Sequence, residues 1–294
     1  MNIIRFLSPV LPARTACGKP HGFDLSPALV ASEEILSGGP SRDGIPALLK
    51  PRFVPAHRVT SLAHNDPVIG VVRGDQARAC PVRILNGREV VNDTLGGRDI
   101  AVTYRSLRAG AMVPGRPGHT FGVSGLVYRG NLLRCEHQSG SSCSQLAMKA
   151  VTGRAAGARL AWLPPLQTTW RVWRRRHPGT RLLSPDTGSN KEDEHDPCAE
   201  CQRDERMVLP VPMFNRALSP KARMAGLLLR GRPAAFPLDR LPEEWTDGTL
   251  RLCRDAAASS VTATRVDGEP VPVVVAFWFA RQAFHPETTL HETR

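Results

Sequence analysis

Residues 69–85 read Ile-Gly-Val-Val-Arg-Gly-Asp-Gln-Ala-Arg-Ala-Cys-Pro-Val-Arg-Ile-Leu, and the pattern returns 156 residues later at 225–241 as Ala-Gly-Leu-Leu-Leu-Arg-Gly-Arg-Pro-Ala-Ala-Phe-Pro-Leu-Asp-Arg-Leu. Gly70, Ala79, Pro81 and Leu85 fall on Gly226, Ala235, Pro237 and Leu241, while Val71, Val72, Cys80 and Val82 meet Leu227, Leu228, Phe236 and Leu238. Each copy predicts a strand, a turn at Gly74 or Gly231, a second strand and a short helix. Pro81 and Pro237 suit the first turn of that helix, where a missing N–H leaves no helix bond unmade.

Outward from the repeat, a strand from Ile100 to Tyr104 is entered through Gly96-Gly97, and a β-rich stretch covers residues 119–136. A helix starts at Thr168 and Thr169 and stops at Pro178. It carries Trp170, Trp173 and His177 on one face. With Arg171, Arg174, Arg175 and Arg176 those rings resemble a stacking surface for single-stranded nucleic acid, but tryptophans three apart are better explained as core anchors with the arginines in water. Residues 184–204 are polar and read as a loop between the repeat-bearing halves, near 67–150 and 222–294. Neither half holds a full set of elements, so the expectation is one α+β domain over 22–294, mostly short antiparallel strands with a few helices and a pseudo-symmetric repeat.

The chain has 294 residues, 41% of them hydrophobic, enough for a sizeable core. Its longest apolar run, Val271 to Ala280, is shorter than the roughly 18–20 residues of a membrane-spanning helix and contains Pro272, so no transmembrane segment is expected. The net charge of +12 is spread along the chain. Such a field attracts anions without selecting one, and a small anionic ligand is a candidate partner. No zinc-finger spacing, RNA-binding aromatic signature or basic-region heptad is present, so specific nucleic-acid binding is not expected.

Residues 1–21 look like a damaged lipoprotein signal ending near Cys17, interrupted by Arg5, Pro9 and Arg14. The default compartment is the cytoplasm, and a Cys17-anchored lipoprotein outside it is the alternative. Seven cysteines form an odd set, so disulfides cannot use them all. Cys198-Ala-Glu-Cys201, just after His195, is the tight pair, with a spacing that suits a metal or a redox couple.

An ordered series of motifs gives the chain its relatives. It runs through Gly38-Gly39-Pro40, Asp43-Gly44-Ile45-Pro46-Ala47, Asp66-Pro67-Val68-Ile69-Gly70, Asn92-Asp93, Val102-Thr103-Tyr104, Phe121-Gly122-Val123-Ser124-Gly125, Ser144-Gln145, Thr168-Thr169-Trp170, His177-Pro178 and Ser184 to Gly188. It closes on Phe277-Trp-Phe-Ala-Arg-Gln-Ala-Phe-His-Pro286. This series resembles the bacterial and archaeal domain of unknown function 3179, a family without established activity.

The resemblance also implies departures. Where the family has Cys-Pro-Leu-Cys, this chain has Arg105, Ser106, Leu107 and Arg108. Cys135-Glu136-His137-Gln138-Ser139 stands for Tyr-Asp-Arg-Gln-Thr, Cys143 for a tryptophan, Cys198 and Cys201 for tyrosines, and Arg281 for a tryptophan. Arginine neither ligates a cation nor cycles with a disulfide, so thiol chemistry at positions 105–108 is expected to be lost. Those arginines are expected first to turn out to water, next to pair with an acid such as Glu136, and last to attract a carboxylate or phosphate.

The sequence therefore suggests a non-catalytic binding or structural protein. One alternative is a replacement zinc or copper site from Cys135, His137, Cys143, His195, Cys198 and Cys201. Another is an enzyme, thiol- or metal-dependent around Cys135, His137, Cys198, Cys201 and His285, or built from Ser124, His137, Ser144, Gln145 and His285 on one concave site. Asp186-Thr187-Gly188 resembles the pepsin-like catalytic loop, but that chemistry needs a second copy the chain lacks.

Overall fold

The computed structural model describes residues 20–115, 117–188, 211 and 215–292. In chain order its elements are β1 Ile35–Ser37, β2 Phe53–Pro55, β3 Pro67–Arg73, β4 Gln76–Pro81, α1 Val82–Arg88, β5 Val90–Leu95, β6 Arg98–Arg105, β7 Gly110–Gly115, β8 Phe121–Tyr128, β9 Asn131–Glu136, β10 Ser142–Ser144, β11 Lys149–Thr152 and β12 Ala161–Leu163. There follow β13 Leu166–Thr169, α2 Trp170–Arg176, β14 Arg181–Leu183, β15 Arg223–Leu229, β16 Arg232–Pro237, β17 Glu244–Thr246, β18 Leu250–Asp255, β19 Ser260–Arg265, β20 Pro270–Val271, β21 Val274–Phe277, α3 Trp278–Phe284 and β22 Thr289–Leu290.

The strands form five sheets arranged as the blades of a β-propeller. Blade I has the order β1-β8-β9-β10-β11, blade II β12-β7-β6-β5, blade III β13-β3-β4-β14-β2, blade IV β17-β18-β19-β20 and blade V β21-β15-β16-β22. The α+β expectation is thus overturned: 44% of the chain is strand and 13% helix. The α-helices are seven residues each, too short to form a layer of their own.

Packing between blades closes the ring. Val90, Ala101 and Met112 of blade II meet Phe121, Val123 and Leu132 of blade I, and Ile69, Val71 and Cys80 of blade III meet Val91, Ile100 and Val102 of blade II. Strand β13 touches β19, and Met224, Ala235 and Phe236 of blade V share a core with Leu252, Val261 and Ala263 of blade IV. Tyr128 meets Phe284 edge-on at 6.0 Å, joining blade I to blade V. At the centre Gln167 on β13 donates to Ala109 O at 3.1 Å and Val275 O at 2.8 Å, bridging three blades.

The internal repeat is two hairpins in equivalent places, β3–β4 in blade III and β15–β16 in blade V, with Gly70 opposite Ala79 and Gly226 opposite Ala235. Pro81 does precede a helix, α1, whereas Pro237 opens only one turn, closed by Leu241 N–H to Pro237 O at 2.9 Å. Trp170 and Trp173 are buried at 1% exposure each, and Arg171, Arg174, Arg175 and Arg176 are exposed, as the core reading requires. Among the described residues no helix is long and apolar enough to cross a membrane.

Candidate metal centre

Strand β9 ends with Cys135 and Glu136 and is followed by His137, and residues two apart on an extended chain share a face. Opposite Cys135 on β8 is Gly122. The loop carrying Asp43 is pinned over the same place by Asp43 N–H donating to Val123 O at 2.7 Å, with Asp43 at a left-handed φ of 52°. Asp43 Oδ1 consequently lies 3.2 Å from His137 Nε2 and 3.8 Å from Cys135 Sγ, and one ligand atom from each residue falls within 4.8 Å of the others.

Gly122 is what makes room for them. A Cβ at that position would sit 2.1 Å from Asp43 Oδ1, 2.4 Å from His137 Nε2 and 3.1 Å from Cys135 Sγ. Any side chain there would collide with the three ligand atoms themselves. A tetrahedral ion with bonds of about 2.0–2.3 Å holds its ligand atoms about 3.3–3.7 Å apart, close to the separations found.

Burial, with Asp43 beside it, pushes the Cys135 thiol up to about 12, so without a cation it stays protonated. A bound ion reverses that preference, because its charge outweighs both effects. His137 Nδ1 lies 2.9 Å from Thr120 Oγ1, an outer partner for the Nδ1 proton when Nε2 ligates an ion. Cys135 is fully buried, whereas the His137 and Asp43 side chains are 24% and 43% exposed, so the cluster is open to solvent on one side.

Only part of the six-residue set read from the sequence meets here. Cys143 pairs across the sheet with Arg134, the neighbour of Cys135, so the pleat turns its thiol to the opposite face among Phe121, Val123 and Leu132. His195, Cys198, Cys201 and Cys17 lie outside the described residues. Asp43 was missed, although it opens one of the motifs that carry the resemblance.

The five side chains of the enzyme reading take separate partners. Ser124 Oγ donates to Leu133 O and accepts from Leu126 N–H at 3.0 Å in the bulge of β8, and Ser144 Oγ accepts from Ala147 N–H at 3.3 Å. Gln145 Nε2 donates at 3.0 Å to Thr103 Oγ1, which also receives Arg134 Nη1 at 2.8 Å. His285 follows α3 in blade V, its Nδ1 3.5 Å from Glu287 Oε1. Burial pushes its pKa down, Arg281 adds to the effect and Glu287 opposes it. Asp186 forms an exposed ion pair with Arg52 at 2.7 Å.

The arginines at 105 and 108 do not turn out to water. Arg105 is 7% exposed and Arg108 1% exposed. The acid that answers Arg105 is Glu89, not Glu136, at 2.9 Å. Arg108 donates to Gly130 O at 2.9 Å and Arg129 O at 3.1 Å and stacks on Phe279, 4.3 Å from the ring centre. Arg105 Nε and Arg108 Nη1 are buried without a hydrogen-bond partner.

The sequence profile described as Protein of unknown function (DUF3179) matches residues 42–267. No curated protein and no solved structure matches the chain.

Proposed function

This chain belongs to the family described as Protein of unknown function (DUF3179), and from that premise we propose that it is a metal-binding β-propeller whose ion, zinc or copper, is held by Asp43, Cys135 and His137. The observation that carries the reading is the convergence of these side chains on the space above Gly122. A thiolate with an imidazole selects a borderline or soft ion over magnesium or calcium, and three protein ligands leave one position of a tetrahedron for water or a ligand atom from solution. When bound, the ion supplies Lewis acidity at that open position. The reading is one of binding: Ser124, Ser144 and Gln145, which the concave-site enzyme reading brings together, are engaged with backbone and core groups.

Metal analysis of protein purified without a histidine tag tests this. About one equivalent of zinc or copper is expected, falling sharply in Asp43→Asn, Cys135→Ser and His137→Gln and in Gly122→Ala, whose Cβ pushes the ligand atoms apart without removing one. Less than about a tenth of an equivalent after exposure to excess zinc or copper, or unchanged content in all four variants, overturns it.

A further inference from the structure

We propose that the cavity at the centre of the blade ring binds a small organic monocarboxylate with an apolar body, its carboxylate held by Arg223. The cavity has a volume of about 340 Å³, within the range of small-molecule sites. Four blades build it: Tyr104 and Ala109 from blade II, Ile69 and Thr168 from blade III, the turn at Ala257 from blade IV, and Arg223 with Phe277 from blade V. None of the metal-site side chains lines it, so the two proposals stand separately.

Arg223 is the one charged side chain in that lining. Its Nε is buried without a hydrogen-bond partner, and among the described residues no carboxylate pairs with its guanidinium. Burial pushes its pKa down, and the Tyr104 hydroxyl is the ionisable group that opposes this. Arg223 is partly buried, and a cation there without a counter-charge is stabilised by an entering anion. One guanidinium offers a planar fork that matches one carboxylate, whereas a phosphate dianion would keep a charge uncompensated. The walls from Val68, Ile69, Val82, Ala109 and Phe277 suit hydrocarbon. The Thr168 and Thr169 hydroxyls at the rim of β13 also lack partners.

Calorimetric titration of the full chain with benzoate, benzamide and inorganic phosphate is the test. Benzoate is expected to bind saturably and to raise the melting temperature, with benzamide and phosphate at least about tenfold weaker. Arg223→Gln should weaken benzoate about tenfold or more. Ala257→Trp, at an exposed turn position on the mouth, should block it without touching the core. Benzoate binding should persist in Asp43→Asn, whatever becomes of the metal. The proposal is overturned by no saturable benzoate binding, by benzamide or phosphate binding as tightly, or by full benzoate binding in Ala257→Trp or in a folded Arg223→Gln.

Discussion

Arg281 occupies in blade V the place that Trp173 occupies in blade III. Helix α2 follows β13 and α3 follows β21 with a constant offset of 108 residues, and both end on a histidine followed by proline, His177 and His285. Trp173 Nε1 donates to Thr180 Oγ1 at 2.9 Å, and Arg281 Nε donates to Thr288 Oγ1 at 3.1 Å. Each side chain lies over the glycine of its hairpin. A Cβ at Gly70 would come within 2.2 Å of the Trp173 ring, and one at Gly226 within 3.0 Å of the Arg281 guanidinium. The pseudo-symmetry of the two blades thus pairs position 281 with a tryptophan.

A guanidinium fills that place less well than an indole. A cavity of about 40 Å³ remains beside Arg281, lined by Gly226, Ala280, Phe284 and His285. Arg281→Trp should stabilise the protein by about 1 kcal/mol, from roughly 24 cal/mol per Å³ of cavity filled, and raise the melting temperature by about 2–4 °C. The reverse change, Trp173→Arg, should cost about 3–5 kcal/mol. Thermal unfolding followed by circular dichroism reads both, and a lower melting temperature for Arg281→Trp contradicts the equivalence.

The Arg105–Glu89 pair is nearly dry, with side chains 8% and 12% exposed. Glu89→Gln should therefore cost about 3–5 kcal/mol, because Arg105 keeps its charge and loses its counter-charge. Adding Arg105→Met should recover most of the loss, since an apolar side chain needs no partner there. Denaturant unfolding of the single and double variants measures the difference. A neutral Glu89→Gln would mean that water reaches Arg105.

Acid should weaken the fold through histidines. Burial pushes His285 and His177 below their ordinary value of 6.5, with Arg281 and Arg176 adding to it. Above 6.5 both folded and unfolded chains hold these rings neutral, so nothing is lost. As the pH falls through 6.5 toward the lowered folded-state values, the unfolded chain takes up protons the folded one refuses, and stability declines. Melting temperature should drop between about pH 7.5 and 5.5 at fixed salt, and His285→Gln should flatten that drop. An unchanged slope in His285→Gln would show that its ring protonates freely in the folded state.

Local features were legible and the ring was not. Gly74, Gly231 and flanking β-branched or apolar residues announce hairpins by turn chemistry, and Thr169 and Pro178 bracket α2. Blade III, however, takes its strands from residues 53–55, 67–81, 166–169 and 181–183, so its sheet leaves no period along the chain. Cys135 and His137 are readable as a pair because alternate strand residues share a face. Asp43 joins them across 92 residues through a backbone bond to Val123, which only the topology supplies. The arginines at 105 and 108 were expected in water because charge predicts solvation. The left-handed end of α1 at Glu89 and the carbonyls at 129 and 130 reverse that.

The scattered origin of blade III sets an order on biosynthesis. The β3–β4 hairpin leaves the ribosome after residue 81, but β13, which covers one of its edges, follows only at 166, and β14 on the other at 181. At about 5–20 residues per second that is an interval of several seconds to tens of seconds. Throughout it both hairpin flanks present unpaired peptide groups to solvent or to a neighbouring nascent chain. Yield on overexpression should then follow chaperone supply and translation speed between codons 82 and 183 more closely than the strength of the finished ring.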